Sequence, residues 1–200
     1  MAGLIFLCSL LVLQRKIMDK LSINSKSALL VIDMQNGLFS GQSKPYNAQL
    51  VLSNILSLIE YCRLNDRPII FIRHVGEKGT PLDPNGPNTQ LITELAFKPH
   101  TDTVIEKMYP SSFKNTVLKE VLEKFDVDEI IITGMKTEYC IDTTVRAASE
   151  YGYKVILISD AHTTTDSAAL NAQQIIDHHN QLLSNAFAQL KTTEEFISEI

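Results

Sequence analysis

The chain has 200 residues, 44% hydrophobic and 20% charged, with a formal net charge of −5; this suits one domain with at most an appendage. The composition excludes a disordered or collagen-like chain, and the negative balance offers no basic field for a nucleic-acid backbone, so no nucleic-acid partner is expected. The three cysteines, Cys8, Cys62 and Cys140, include no C-x-x-C pair, which excludes a disulfide framework and the usual zinc-ribbon spacings and fits a reducing, cytoplasmic compartment.

Residues 1–26 read as an apolar N-terminal extension. Ala2 to Leu13 is nearly all apolar, and Arg15, Lys16 and Lys20 follow it. A signal peptide carries its positive charge before the apolar run, and a spanning helix needs about 20 apolar residues, so no membrane partner is expected. Met18 opens a stretch that reads as an ordinary cytosolic start.

From Ser27 onward apolar runs and helical periods alternate. Ala28–Ile32 is a short, unbroken, largely β-branched run, and Leu52, Ile55, Ile59 and Cys62 then repeat at three- and four-residue spacing. A second run, Ile69–Ile72, leads into a long Gly- and Pro-rich connection from His74 to Thr101. A loop of that length is either a loose insertion or the cover of a site. Asn115–Phe125 is a helix candidate, and the run Ile130–Ile132 follows it. Ile141, Val145, Ala148 and Tyr151 mark another helix, Val155–Ile158 another run, and Ser167–Leu183 a last helix opened by the cap-like Thr165-Asp166-Ser167. Unbroken runs suit strands buried on both faces. The alternation predicts an α/β sandwich with a mostly parallel sheet.

Ligands of open α/β sheets bind beyond the carboxyl ends of the strands. Asp33 follows the first run, Arg73 and His74 the second, Thr133 to Cys140 the third, and Asp160-Ala161-His162 the fourth. Cys140 stands where a loop enters a helix. Free N–H groups at a helix start lower a thiol's pKa and can hold an oxyanion; the alternative is a small buried residue, the role that its apolar helix stripe gives Cys62. Asp33 caps the following turn or takes a proton from a nearby thiol. Lys107, before Met108-Tyr109-Pro110, is a solvated surface lysine unless something else places it. Asp160 reads as a loop anchor and His178-His179 as structural, because adjacent helix residues face different ways.

Four ordered blocks, ALLVIDMQNGLF, EKMYPSSF, IIITGMKTEYCIDTTVRAASEYGY and VILISDAHTT, resemble the isochorismatase-like cysteine hydrolases. That family includes nicotinamidases, N-carbamoylsarcosine amidase and streptothricin hydrolase. The resemblance covers Ser27 to the C-terminus, so residues 27–200 are read as one hydrolase domain. It implies a three-layer sandwich: a mostly parallel six-stranded sheet with helices on both faces. It also implies a catalytic Asp33, Lys107 and Cys140, an oxyanion hole from the backbone N–H groups of Lys136 and Cys140, and a cis peptide at Met135–Lys136. Nicotinamidases bind a metal through an Asp-x-His motif and a further His. The matching segment here, FIRHVGEKGTPLDPNGPNTQ, has no Asp-x-His, so neither metal nor other cofactor is expected. The RHVGEKGTPL and GMKTEYCIDTT blocks look most like the streptothricin-hydrolase-like branch.

The expected function is hydrolysis of a small-molecule C–N amide bond through a Cys140 thioester, in a homo-oligomer (dimer or tetramer). Gln35, Phe39, His74, Tyr109, Phe113 and Tyr139 are the candidate substrate contacts. The alternatives are an isochorismatase-type vinyl-ether hydrolase and a non-catalytic binding protein on the same fold. A dinucleotide binder is disfavoured, since no G-x-G-x-x-G follows any strand.

Overall fold

The apolar runs form the middle of a six-stranded sheet whose paired strands are all parallel. In chain order the strands are β1 (Ser27–Ile32), β2 (Ile69–His74), β3 (Thr103–Lys107), β4 (Glu129–Met135), β5 (Lys154–Thr163) and β6 (Gln189–Lys191), arranged β3-β2-β1-β4-β5-β6. This computed structural model describes residues 26–41 and 43–199, so Cys8 and all but the last residue of the apolar extension lie outside the described residues. The outer strands β3 and β6 are the two that hydrophobic runs do not reveal. Edge strands meet a neighbour on one side only, and theirs are the mixed stretches TVIEK and QLK.

Side-chain alternation sorts the central strands between two cores. Leu29, Val31, Phe71 and Ile131 point to one face, against Leu52, Ile55, Ile59 and Cys62 of α2 (Ala48–Leu64) and Phe196 of α6 (Thr193–Ser198). Leu30, Ile32, Ile70 and Ile132 point to the other, against Leu118 and Leu122 of α3 (Leu118–Lys124), Val145 and Ala148 of α4 (Asp142–Glu150) and Leu183 of α5 (Ala172–Ser184). The sheet therefore has helices on both faces. A single turn, α1 (Asn36–Phe39), follows β1.

Two helix starts differ from the sequence reading. Asn115 takes a left-handed φ of 56°, so α3 begins only at Leu118. α5 begins at Ala172 behind a capping box of Asn171 and Gln174. The expected cap, Thr165-Asp166-Ser167, belongs to the preceding loop: Asp166 Oδ1 accepts from the Ala172 N–H across six residues, and Ser167 Oγ donates to Leu170 O. Asn171 adjoins the helix and caps it locally. Asp160 Oδ1 accepts from both the backbone N–H and the hydroxyl of Thr193, each at 2.8 Å, so it anchors the start of α6.

The strand order carries the chain outward from β1 to β3 and then back to β4 on the other side of β1. The carboxyl ends of β1 and β4 are thus adjacent where their connections diverge, the usual ligand crevice of such sheets. Gly134 lets them approach. It pairs with Ile32 in the ladder at a φ of +114°, and a Cβ built there would stand 2.0 Å from the Ile32 carbonyl oxygen. Backbone cannot yield as a flexible side chain would. Gly134→Ala should cost about 2–5 kcal/mol from the disfavoured φ and the overlap together. In a thermal melt that is a fall in Tm of at least about 4 °C; an unchanged Tm would show that the two strands separate freely.

Candidate active site

Three strand ends deliver the three residues that the sequence singles out. Asp33 follows β1 in a left-handed turn, φ 54°, a conformation that Asp adopts more readily than most residues. Lys107 is the last residue of β3, paired with His74 at the end of β2. Cys140 lies in a π-helical turn, Thr137–Ile141, that runs directly into α4. The Met135–Lys136 peptide that leads into this turn is cis.

The side chains meet at the Lys107 ammonium. Its Nζ donates to Asp33 Oδ2 at 2.8 Å, to His74 Nδ1 at 3.0 Å and to Cys140 Sγ at 3.1 Å. Asp33 and Lys107 are fully buried, and Cys140 nearly so. Lys107 is therefore no surface residue: its side chain reaches past His74 at the end of β2 to the residue that follows β1. Three N–H groups meet three acceptors, so the ammonium is saturated. An ammonium has no lone pair, so His74 Nδ1 must be the acceptor and the ring carries its proton on Nε2. The other Asp33 oxygen, Oδ1, is buried with no hydrogen-bond partner among the described residues.

These contacts set the protonation states. Burial and the neighbouring Asp33 charge push the Cys140 thiol up to about 12, against the pull of Lys107. This corrects the expectation of a thiol lowered by the start of a helix: here desolvation and a like charge outweigh it. Burial also raises the Asp33 carboxyl, opposed by Lys107. His74 is held below the usual imidazole value by burial and by Lys107. The thiol and the imidazole are thus neutral beside the hydrogen-bonded Lys107–Asp33 pair.

Oxygen, nitrogen and sulfur atoms of Asp33, His74 and Cys140 all lie within 4.8 Å of one another, a spacing that could hold a metal ion. The set does not fit a resident metal, however. The Lys107 ammonium already stands within hydrogen-bond distance of an atom of each.

A cavity of about 280 Å³ opens over the sulfur, lined by Asp33, Leu38, His74, Leu82, Pro110, Lys136, Tyr139 and Cys140. Of the six candidate substrate contacts, His74 and Tyr139 line it. Gln35 is buried and acts as a latch: its Oε1 accepts from the His74 N–H, and its Nε2 donates to His74 O and Thr89 O. Phe39 packs in the core with α2, and Phe113 stacks with Tyr151 and Tyr153. Tyr109 lies beneath the Lys114 ammonium, 4.0 Å from its ring centre, away from the cavity. A larger hollow, about 490 Å³, lies beside Phe113 and Tyr151 and contains neither Cys140 nor Lys107. The long connection does contribute to the site, through Leu82. Leu38 of α1, Leu82 and Pro110 were not singled out from sequence, since a lone apolar residue resembles any other; for Leu82 alone the unusual loop length pointed there.

A further network supports the turn that carries Cys140. The buried His162 of β5 meets Asn180 Oδ1 of α5 through Nε2 at 2.8 Å and Thr137 Oγ1 through Nδ1 at 2.9 Å. Asn180 Nδ2 donates to Ser159 O, so its Oδ1 is the group that accepts from His162. Burial pushes His162 down to about 4, which keeps it neutral.

Residues 27–195 match the isochorismatase domain family. The chain belongs to the isochorismatase family. Similar curated proteins include nicotinamidase 3 of Arabidopsis thaliana, 37% identical over 155 residues covering 70% of this chain and 75% of that protein. Streptothricin hydrolase of Streptomyces noursei is 30% identical over 142 residues, 71% of this chain and 51% of that protein. Among solved structures, an isochorismatase from Pseudomonas putida KT2440 superposes with a TM-score of 0.80 at 35% identity, covering 85% of this chain and 89% of that one. The protein is an isochorismatase-family hydrolase whose relatives include amidases.

The raised thiol gives a direct test. Alkylation of Cys140 by iodoacetamide should keep rising from about pH 8 to about pH 11, because only the thiolate reacts. Peptide mass spectrometry reads it residue by residue. Cys62, sealed in the core, should react only on unfolding. A plateau for Cys140 below about pH 8 would mean that the helix start, not burial, controls the thiol.

Proposed function

We propose that this chain is a cysteine hydrolase of small-molecule C–N amide bonds that works through a thioester on Cys140. The observation that carries the reading is one ammonium bonded at once to Asp33 and Cys140, beneath a small cavity with apolar walls. Relatives named nicotinamidase and streptothricin hydrolase support an amide as the bond broken.

In this mechanism Asp33 takes the thiol proton of Cys140 as the sulfur attacks the substrate carbonyl carbon. The carbonyl π pair moves to oxygen, and the backbone N–H groups of Lys136 and Cys140 are the proposed donors to that oxyanion. Protonated Asp33 then gives its proton to the leaving nitrogen as the C–N bond breaks. Water attacks the thioester, Asp33 accepts its proton, and the carboxylic acid leaves as the sulfur is reprotonated. Lys107 remains an ammonium throughout. It bonds the carboxylate before proton transfer and the thiolate after it, so the net charge of the cluster never changes.

A panel of small amides with intact-mass readout tests the reading. The expected result is turnover of at least one amide with an acyl adduct on Cys140, and a loss of about 10²–10⁴ in kcat for Asp33→Asn and for Cys140→Ala. Thorough chelation with EDTA should leave the rate unchanged. Turnover that survives Cys140→Ala, or that EDTA abolishes and zinc restores, would overturn it.

A further inference from the structure

Inside the cavity, nearly every polar side chain already has a partner. Asp33 and Cys140 are bonded to Lys107, and Lys136 Nζ donates to Thr165 Oγ1 at 3.0 Å. Tyr139 stands at the rim, 58% exposed. Two atoms remain free among the described residues: Asp33 Oδ1, which is buried, and the Nε2 of His74, whose Nδ1 is occupied by Lys107. The saturated ammonium fixes the tautomer, so this free nitrogen is a donor and not an acceptor. Around it the walls are Leu38, Leu82 and Pro110.

We infer that His74 is the specificity residue of this site, its Nε2–H selecting small uncharged amides whose acyl chain carries a hydrogen-bond acceptor such as an ether or carbonyl oxygen. The inference rests on the thioester reading and deepens it. The cavity of about 280 Å³ has room for a small acyl group beside Nε2–H. A purely hydrocarbon chain would fill the apolar wall but strip water from Nε2–H without replacing it. An acceptor-bearing chain of the same shape replaces that bond. A single neutral hydrogen bond of this kind is worth about three- to tenfold in affinity. The same Lys107 that assists the thiol therefore also determines which face of the imidazole the substrate meets.

The test uses aldehydes, which add reversibly to a thiol: the S–C bond forms, the carbonyl π bond breaks, and the new hydroxyl takes the proton. Affinity is read as protection of Cys140 from iodoacetamide, by peptide mass spectrometry on the full chain. Two isosteric pairs serve as probes, methoxyacetaldehyde against butanal and 3-methoxypropanal against pentanal. Each pair is measured in the native chain and in His74→Leu, His74→Asn and His74→Gln. Intrinsic reactivity differences between the aldehydes cancel in the ratio between proteins. Asn puts an oxygen at the δ1 position, where Lys107 needs an acceptor, but ends short of the ε2 position; Gln reaches it with an N–H.

In at least one pair the methoxy preference should be about three- to tenfold larger in the native chain than in His74→Leu and His74→Asn, and His74→Gln should recover part of it. Equal ratios in the native chain and His74→Asn for both pairs would overturn the inference while leaving the thioester reading intact. Failure of every aldehyde to protect native Cys140 would overturn the thioester reading and the inference with it.

Discussion

A buried ammonium is the constraint from which the site follows. Removing a cation from water is costly unless every N–H finds an acceptor and a counter-charge lies close. Lys107 meets both conditions with three partners from three chain segments: the turn after β1, the end of β2 and the turn after β4. None can shift by much without leaving the cation undersatisfied. Gly134 keeps β1 and β4 close enough for two of them. Gln35 fixes the backbone that bears the third. The strand order and these two local devices together serve to surround one charge.

The same arrangement explains how a thiol pushed up to about 12 can still serve as the proposed nucleophile. A standing thiolate would add a second negative charge to a dry pocket. Transfer of its proton to Asp33 instead exchanges one anion for another beside the same cation. The buried Asp33 Oδ1, without a partner among the described residues, is an open place for that proton. Reactivity then depends on a relay that operates when substrate is present, not on a permanently ionised sulfur.

Much of this was legible in the sequence, for identifiable reasons. Strands buried on both faces announce themselves as unbroken β-branched runs, so β1, β2, β4 and β5 were readable, whereas β3 and β6 at the edges were not. Asp33 and Cys140 were marked by their blocks and by their position after readable strands, Lys107 by its block alone. The companions of the ammonium were less visible. His74 gave no sign that it would meet Lys107, because the strands' lateral order is absent from the linear pattern. Gln35 and Phe113 were candidate contacts, yet one holds backbone and the other fills the core. The sequence placed them near the expected mouth of the site but could not say which way each side chain turns. The thiol's direction was misjudged likewise: a helix start is visible in sequence, while the depth of burial that outweighs it is not.

Gln35 also ties down the long connection. Its side-chain amide gives and takes a hydrogen bond with His74 much as the peptide of an adjoining strand would, and its second N–H reaches Thr89 on the far side of the long connection. The stretch between these two anchors, which includes Leu82, is tied at both ends without leaning on the ammonium. Within it the Gly76 N–H donates to Leu82 O, and Arg73 Nη2 donates to Pro84 O. Leu82 forms one apolar wall of the cavity, so a chain of this design could reshape that wall by rewriting one loop, while the bond between imidazole and ammonium keeps selection and reaction joined.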